Sequence, residues 1–112
     1  MPKNQALLDA AHRVAQWLGL PPLLLKAFIA VEGANVNHPD GALQVTPGTR
    51  AGVIGRLPRA LKLAALGLSD EPSLPDADLN ARFAQAFEAK NVIAQVLAGG
   101  QYIKEQLDRF HG

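Results

Sequence analysis

Pro21-Pro22-Leu23-Leu24-Leu25-Lys26-Ala27-Phe28-Ile29-Ala30-Val31-Glu32-Gly33 is the stretch on which the reading of the whole chain turns. Two prolines suit the first turn of a helix, where a missing N–H has no intrahelical partner to lose. Nothing after them breaks a helix until Gly33. At about 100° per residue, Leu25, Phe28 and Ile29 share one side. Glu32 falls among them, at i+7, i+4 and i+3, while Lys26 and Ala30 lie well round from that centre. A carboxyl group therefore ends an apolar stripe. Partial burial there disfavours the charged form, and the negative end of the helix dipole pushes the same way. A glutamic acid kept protonated near neutral pH suits the role of general acid at a glycosidic oxygen. The ordinary alternative is a side chain that bends out to water or pairs with a lysine or arginine.

On the N-terminal side, Asn4 is placed to cap a first helix. Leu7, Leu8, Ala11, Val14, Ala15 and Leu18 recur at helical spacing, and Gly19 stops it. On the C-terminal side, Gly33 to Pro58 holds five of the ten glycines and three of the eight prolines. Long helix is not expected there. Pro39-Asp40-Gly41 reads as a turn and Ala42-Leu43-Gln44-Val45 as a short strand. Pro58 to Leu66 reads as a third helix ended by Gly67, and Ser69 to Pro75 as a loop. From Asp76, Leu79, Phe83, Phe87, Ile93, Val96, Ile103, Leu107 and Phe110 carry a helical stripe to the end. Gly99 and Gly100 either break that stripe or mark a close-packing point. The expected class is mainly α (α+β), with a small irregular or β segment around residues 38–50.

Composition bounds the rest. The 112 residues, 48% apolar and 19% charged, suit one globular domain over residues 1–112. Eleven Lys+Arg against ten Asp+Glu leave a net charge of +1, which does not favour a dedicated nucleic-acid binder. No cysteine is present, so disulfides and thiolate zinc sites are excluded. His12, His38 and His111 are far apart and show no metal-ligand spacing, so no metal or cofactor is expected. The N-terminus lacks the unbroken apolar core of a signal peptide. Leu18 to Val31 is interrupted by Pro21, Pro22 and Lys26 and is too short to span a bilayer, so no stable membrane insertion is expected.

Gly41-Ala42-Leu43-Gln44-Val45-Thr46-Pro47-Gly48-Thr49 resembles the Gly-Leu-Met-Gln-x-x-Pro-x-Thr segment of the soluble lytic transglycosylase family, within the lysozyme-like superfamily. There the segment follows a helix that ends in the catalytic glutamate. Ala98 to Phe110 is similar to the family's Ala-Gly-Ala-x-Tyr-Leu-x-x-Leu-Leu-x-x-Phe helix, in the same order along the chain. The matched pieces, about 22–49 and 95–112, cover close to two-fifths of the sequence. The resemblance implies a compact lysozyme-like helical domain that cleaves the bond between N-acetylmuramic acid and N-acetylglucosamine in peptidoglycan. Glu32 would act as general acid and then general base. Gln44 would present its amide to a sugar acetamido group, which needs both a donor and an acceptor. Its alternative role is to stabilise the loop. Tyr102 either stacks on a sugar or packs in the core, and Gly99 would let the last helix approach the catalytic one.

The sequence departs from the family in four places. Gly33 replaces the usual Ser. The step from Glu32 to Gln44 is shorter, and Thr49 to Gln95 is longer. The family's further helix with its Ala-Tyr-Asn segment has no counterpart before Gly112. The far wall of the groove would then be rebuilt by residues 49–95, supplied by a protein partner or phage virion component, or lost together with the reaction. Glu32-Gly33, Asp40 and Thr46 also look like the Glu-Gly…Asp…Thr set of phage lysozymes. In that reading Asp40 positions or activates water and Thr46 assists, giving hydrolysis by two carboxylates. The transglycosylase reading needs no second acid, because the sugar's own hydroxyl attacks and leaves a 1,6-anhydro product. The implied partner is the peptidoglycan glycan strand. Without an export signal, the expected setting is cytoplasmic synthesis with phage-mediated release, as for an endolysin, or a virion-borne protein. A non-catalytic glycan-binding or phage-structural module is the alternative.

Overall fold

The stripe at residues 7 to 18 becomes helix α1 (Gln5–Leu18), which buries Leu7, Ala10, Ala11, Val14, Ala15 and Leu18. In the computed structural model, residues 5–32 and 34–111 are described, except for the side chains of Glu32 and His111. The expected Asn4 cap and Gly33 stop lie outside the described residues. Gly19, at φ 70°, ends α1 in the left-handed region. The Leu20 N–H then reaches back to the Ala15 carbonyl at 2.9 Å, satisfying an end-of-helix acceptor. Helix α2 (Pro22–Glu32) packs on α1 through Leu25 and Ile29, both fully buried. Phe28, expected with them in the apolar stripe, is instead 39% exposed.

The glycine-rich middle differs most from expectation. No strand is present among the described residues, and 36–44 is a run of turns. A strand needs a neighbour for its N–H and C=O groups. Here those groups are satisfied locally: Gly41 N to His38 O at 2.9 Å, Gln44 N to Gly41 O at 3.1 Å and Val45 N to Asp40 O at 2.8 Å. Helix α3 (Pro47–Arg56) follows, where long helix was not expected. Its proline sits at the start, where it is tolerated. Arg50, Val53, Ile54 and the following Leu57 are buried at helical spacing. Gly48, Gly52 and Gly55 are exposed on the other face. Each costs about 1 kcal/mol of helix propensity, and burial of the opposite stripe outweighs that.

Helix α4 (Arg59–Leu66) ends at Gly67, as the sequence predicts. Arg59 fastens the following loop, donating to Asp70 at 3.1 Å, Asp76 at 2.8 Å and the Glu71 carbonyl at 2.9 Å. Lys62 is 3% exposed and donates to the Ile54 carbonyl and to Asn80. Loss of hydration lowers its pKa. The stripe from residue 76 divides into α5 (Asp76–Glu88) and α6 (Val92–His111). The break falls at Lys90, φ 69°, and not at the glycines. Asn91 N bonds the Ala86 carbonyl at 2.9 Å and Lys90 N the Phe87 carbonyl at 3.1 Å. The Asn91 side chain then accepts from Ala94 N at 3.0 Å and caps α6.

Helix α6 is the central post of the domain. Residues 94–100 are all buried, and α1, α3, α4 and α5 all pack against this helix. Both glycines lie within it, as close-packing points. A Cβ at Gly100 would lie 3.0–3.3 Å from Val14, Leu18 and Leu25. A Cβ at Gly99 would lie 2.5 Å from the Leu43 Cβ. Gly100, and not Gly99 as expected, therefore admits α1 and α2, while Gly99 admits the 41–45 loop. On the surface, Arg56 and Glu105 join α3 to α6 with two bonds of 2.8 Å.

Three outcomes follow from these placements. Gly55→Ala, in open space on a helix, is expected to raise stability by about 0.5–1 kcal/mol in urea denaturation. Gly41→Ala, at φ 83° with its Cβ 2.4 Å from the Phe87 ring, is expected to cost at least about 2 kcal/mol. The hydrogen bonds from Arg56 hold the Glu105 carboxyl below its ordinary pKa, with a smaller contribution from Gln101. A depressed carboxyl pKa stabilises the fold above the unfolded value and loses that contribution as pH falls through the folded one. Denaturation from neutral pH down into the acid range is expected to show a shallower loss of stability for Arg56→Ala than for the wild type.

Candidate functional site

The loop from Val36 to Val45 is held from beneath by a buried amide. Gln95, on α6, is 2% exposed. Its Oε1 accepts from Ala42 N at 2.9 Å, and its Nε2 donates to the Val36 carbonyl at 3.0 Å and the Phe87 carbonyl at 3.1 Å. Arg50, 8% exposed, holds the loop from the other end. Its Nε and Nη2 donate to the Val45 carbonyl at 3.2 and 3.0 Å, and its guanidinium lies 4.1 Å over the Phe87 ring. Gly41 rests directly on that ring, which is why no Cβ fits there. Ala42 and Val45 are buried in this arrangement, so Gln44 is turned outward and exposed.

Gln44 sits at φ 56°, in the left-handed region that a residue with a Cβ adopts at a cost. The expected strand would have pointed it outward with relaxed geometry, whereas the turn does so with strain. Strain of this kind concentrates at functional sites.

Gln44 lines a groove of about 260 Å³ together with Phe28, Ala42, Leu43, Tyr102 and Ile103. Helix α2, the loop and α6 each supply part of it. Phe28 and Tyr102 are flat, half-exposed rings, 39% and 37% accessible, on different helices that line the same groove. Aromatic faces beside an amide form a surface suited to sugars, which offer apolar C–H faces and polar edges. Among the described residues the lining carries no charge. None of the lining residues comes from 49–95, so that longer stretch does not build this groove's walls.

Glu32 is the last residue of α2, one turn beyond Phe28. Its side chain lies outside the described residues, as does Gly33. Of the other expected residues, Gln44 and Tyr102 come together in the groove, 58 positions apart in sequence. Asp40 and Thr46 do not join them. Asp40 Oδ1 lies 3.7 Å from Arg50 Nη2, in a separate depression with His38, Lys90 and Glu88. Thr46 is exposed at the cap position of α3, its hydroxyl 3.4 Å from that of Thr49. Among the described residues, no cluster of three or more His, Asp or Glu side chains suits a metal ion.

Sequence reasoning missed Gln95, Arg50 and Phe28. The signal for Gln95 was a lone amide within the apolar run Val92 to Ala98. Phe28 carried no signal, since an aromatic ring at helical spacing reads as core. No protein-family model, curated protein or solved structure matches the chain.

Gln95→Leu fills the space but leaves the Ala42 N–H and the Val36 carbonyl without their partner, while the Phe87 carbonyl keeps the Lys90 N–H. It is expected to cost about 1–3 kcal/mol and to speed hydrogen exchange at Ala42. Gln44→Gly is expected to do the opposite, raising stability by about 0.5–1 kcal/mol as the left-handed strain is relieved. Thermal and urea denaturation check both.

Proposed function

We propose that the groove binds the β-1,4-linked amino-sugar strand of peptidoglycan and that Glu32 cleaves it. The observation that carries this reading is the meeting of Gln44, Tyr102 and Phe28 in one groove, with Glu32 one helical turn from Phe28. In this reading the rings of Phe28 and Tyr102 take the apolar faces of the sugars. The Gln44 amide bonds an acetamido group through both its donor and its acceptor. Protonated Glu32 gives its proton to the glycosidic oxygen as the C1–O bond breaks, leaving oxocarbenium character at C1. The resulting carboxylate accepts the proton of the muramic acid 6-hydroxyl as that oxygen bonds to C1. The product is a 1,6-anhydro sugar, and the glutamic acid is regenerated.

The transglycosylase form is preferred over two-carboxylate hydrolysis because Asp40 lies beside Arg50 in a separate depression. The substrate of this reading lies outside the inner membrane. A released endolysin or a virion-borne lytic protein reaches it there. The alternative reading is a non-catalytic glycan-binding or phage-structural module. That module would bind sugar oligomers and turn none over.

Incubation with purified sacculi separates these readings. The expected result is soluble muropeptides with anhydro ends by mass spectrometry. Glu32→Gln should reduce release by about 10³-fold or more, and Gln44→Ala should lower it about tenfold with the fold intact. Reducing ends in place of anhydro ends would return Asp40 to the mechanism. Binding of sugar oligomers without any release would support the non-catalytic module. Full activity in Glu32→Gln would overturn the assignment.

A further inference from the structure

Helix α2 carries only two charged residues in its eleven, Lys26 and Glu32, and is apolar nearly all round. Such a helix normally lies in an interior. Here, among the described residues of the helix, only Leu25 and Ile29 are buried. Leu23 is 74% exposed and Val31 83%, with exposed Ala27 and Ala30 between them on the same face. At about 100° per residue this open strip has two edges. Phe28 forms one, where the groove begins. Lys26 forms the other, where it meets His12 and Arg13 of α1 in a shallow depression. Among the described residues Asp9 is the one acid lining that depression, facing the two cations Arg13 and Lys26, and the Gln5 amide donates to its carboxylate at 2.8 Å.

We propose that this face of α2, with the cations along its edge, docks on the surface of an anionic lipid bilayer. The argument rests on two separate observations, the uncovered apolar strip and the positive border beside it, and does not depend on what the groove binds. An apolar strip alone suits any greasy partner. A strip bordered by basic side chains matches the boundary between lipid headgroups and acyl chains: Leu23 and Val31 enter the boundary, while Arg13 and Lys26 meet phosphate. The contact is interfacial in kind, for among the described residues no helix is long and apolar enough to cross a membrane. Docking this way holds the mouth of the groove beside the membrane plane, because Phe28 belongs to both.

Flotation of the full chain with vesicles tests the proposal. Vesicles of phosphatidylglycerol mixed with phosphatidylcholine are expected to carry the protein up at low salt, and phosphatidylcholine alone is not. High salt should release it. Arg13→Gln and Lys26→Gln are each expected to weaken binding about fivefold. Leu23→Ser with Val31→Ser is expected to weaken it about tenfold or more, with an unchanged thermal midpoint in the absence of lipid. The salt series and the charge variants decide the matter even if the serine variant folds poorly. Equal binding to neutral vesicles, or none to anionic ones, overturns the proposal. So does a lipid-free dimer that the serine variant separates, since the face then belongs to a second copy of the chain.

Discussion

One buried amide organises this domain. Gln95 uses both ends of its side chain to hold two backbone groups of the loop that no helix or sheet satisfies, the Ala42 N–H and the Val36 carbonyl, and ties them to the Phe87 carbonyl at the end of α5. Burying such groups unpaired costs more than any single apolar contact returns. The loop they belong to can therefore be irregular and still lie in one place. Its outward turn at Gln44, the seat of Gly41 on Phe87 and the guanidinium of Arg50 over the same ring all follow from that anchorage. The groove exists because the loop is held against α6 while α2 is held against α1.

Two forms of support meet at the groove. On the bundle side, α1, α2 and α6 make ordinary apolar contacts through Val14, Leu18, Leu25 and Ile29. On the loop side, polar contacts to backbone do the fastening. The first kind tolerates exchange of one hydrophobic side chain for another. The second does not, since each donor needs its acceptors at fixed places. The charged links at the periphery, Arg56 to Glu105 and Arg59 to Asp70 and Asp76, are exposed and contribute little by comparison.

The helices were legible wherever local signals agreed. Apolar spacing and a stop glycine marked α1 and α4, and Pro21-Pro22 marked the start of α2. Legibility failed where tertiary contacts overrode local preference. Three glycines hid α3, whose buried stripe of Arg50, Val53 and Ile54 starts with a charged residue that reads as surface. The α5–α6 corner was hidden because its left-handed residue is Lys90 and not glycine. At the site, the resemblance pointed Gln44 into a cleft and left Tyr102 either on a sugar or in the core. Their geometry could not be read, since it depends on Gln95 and on contacts spanning more than fifty positions. The separation of Asp40 from the groove was equally invisible, because turn sequences do not say which way an aspartate faces.

The two adjacent glycines of α6 face different parts of the molecule, and so answer to different histories. Gly100 is matched to the bundle and Gly99 to Leu43 of the loop. Among descendants of this sequence, residue 99 should covary with the loop, any larger side chain there accompanied by a shifted or lengthened 41–45 segment. Residue 100 should covary with positions 14, 18 and 25. A lineage can thus remodel its groove through one position while its neighbour keeps the bundle unchanged.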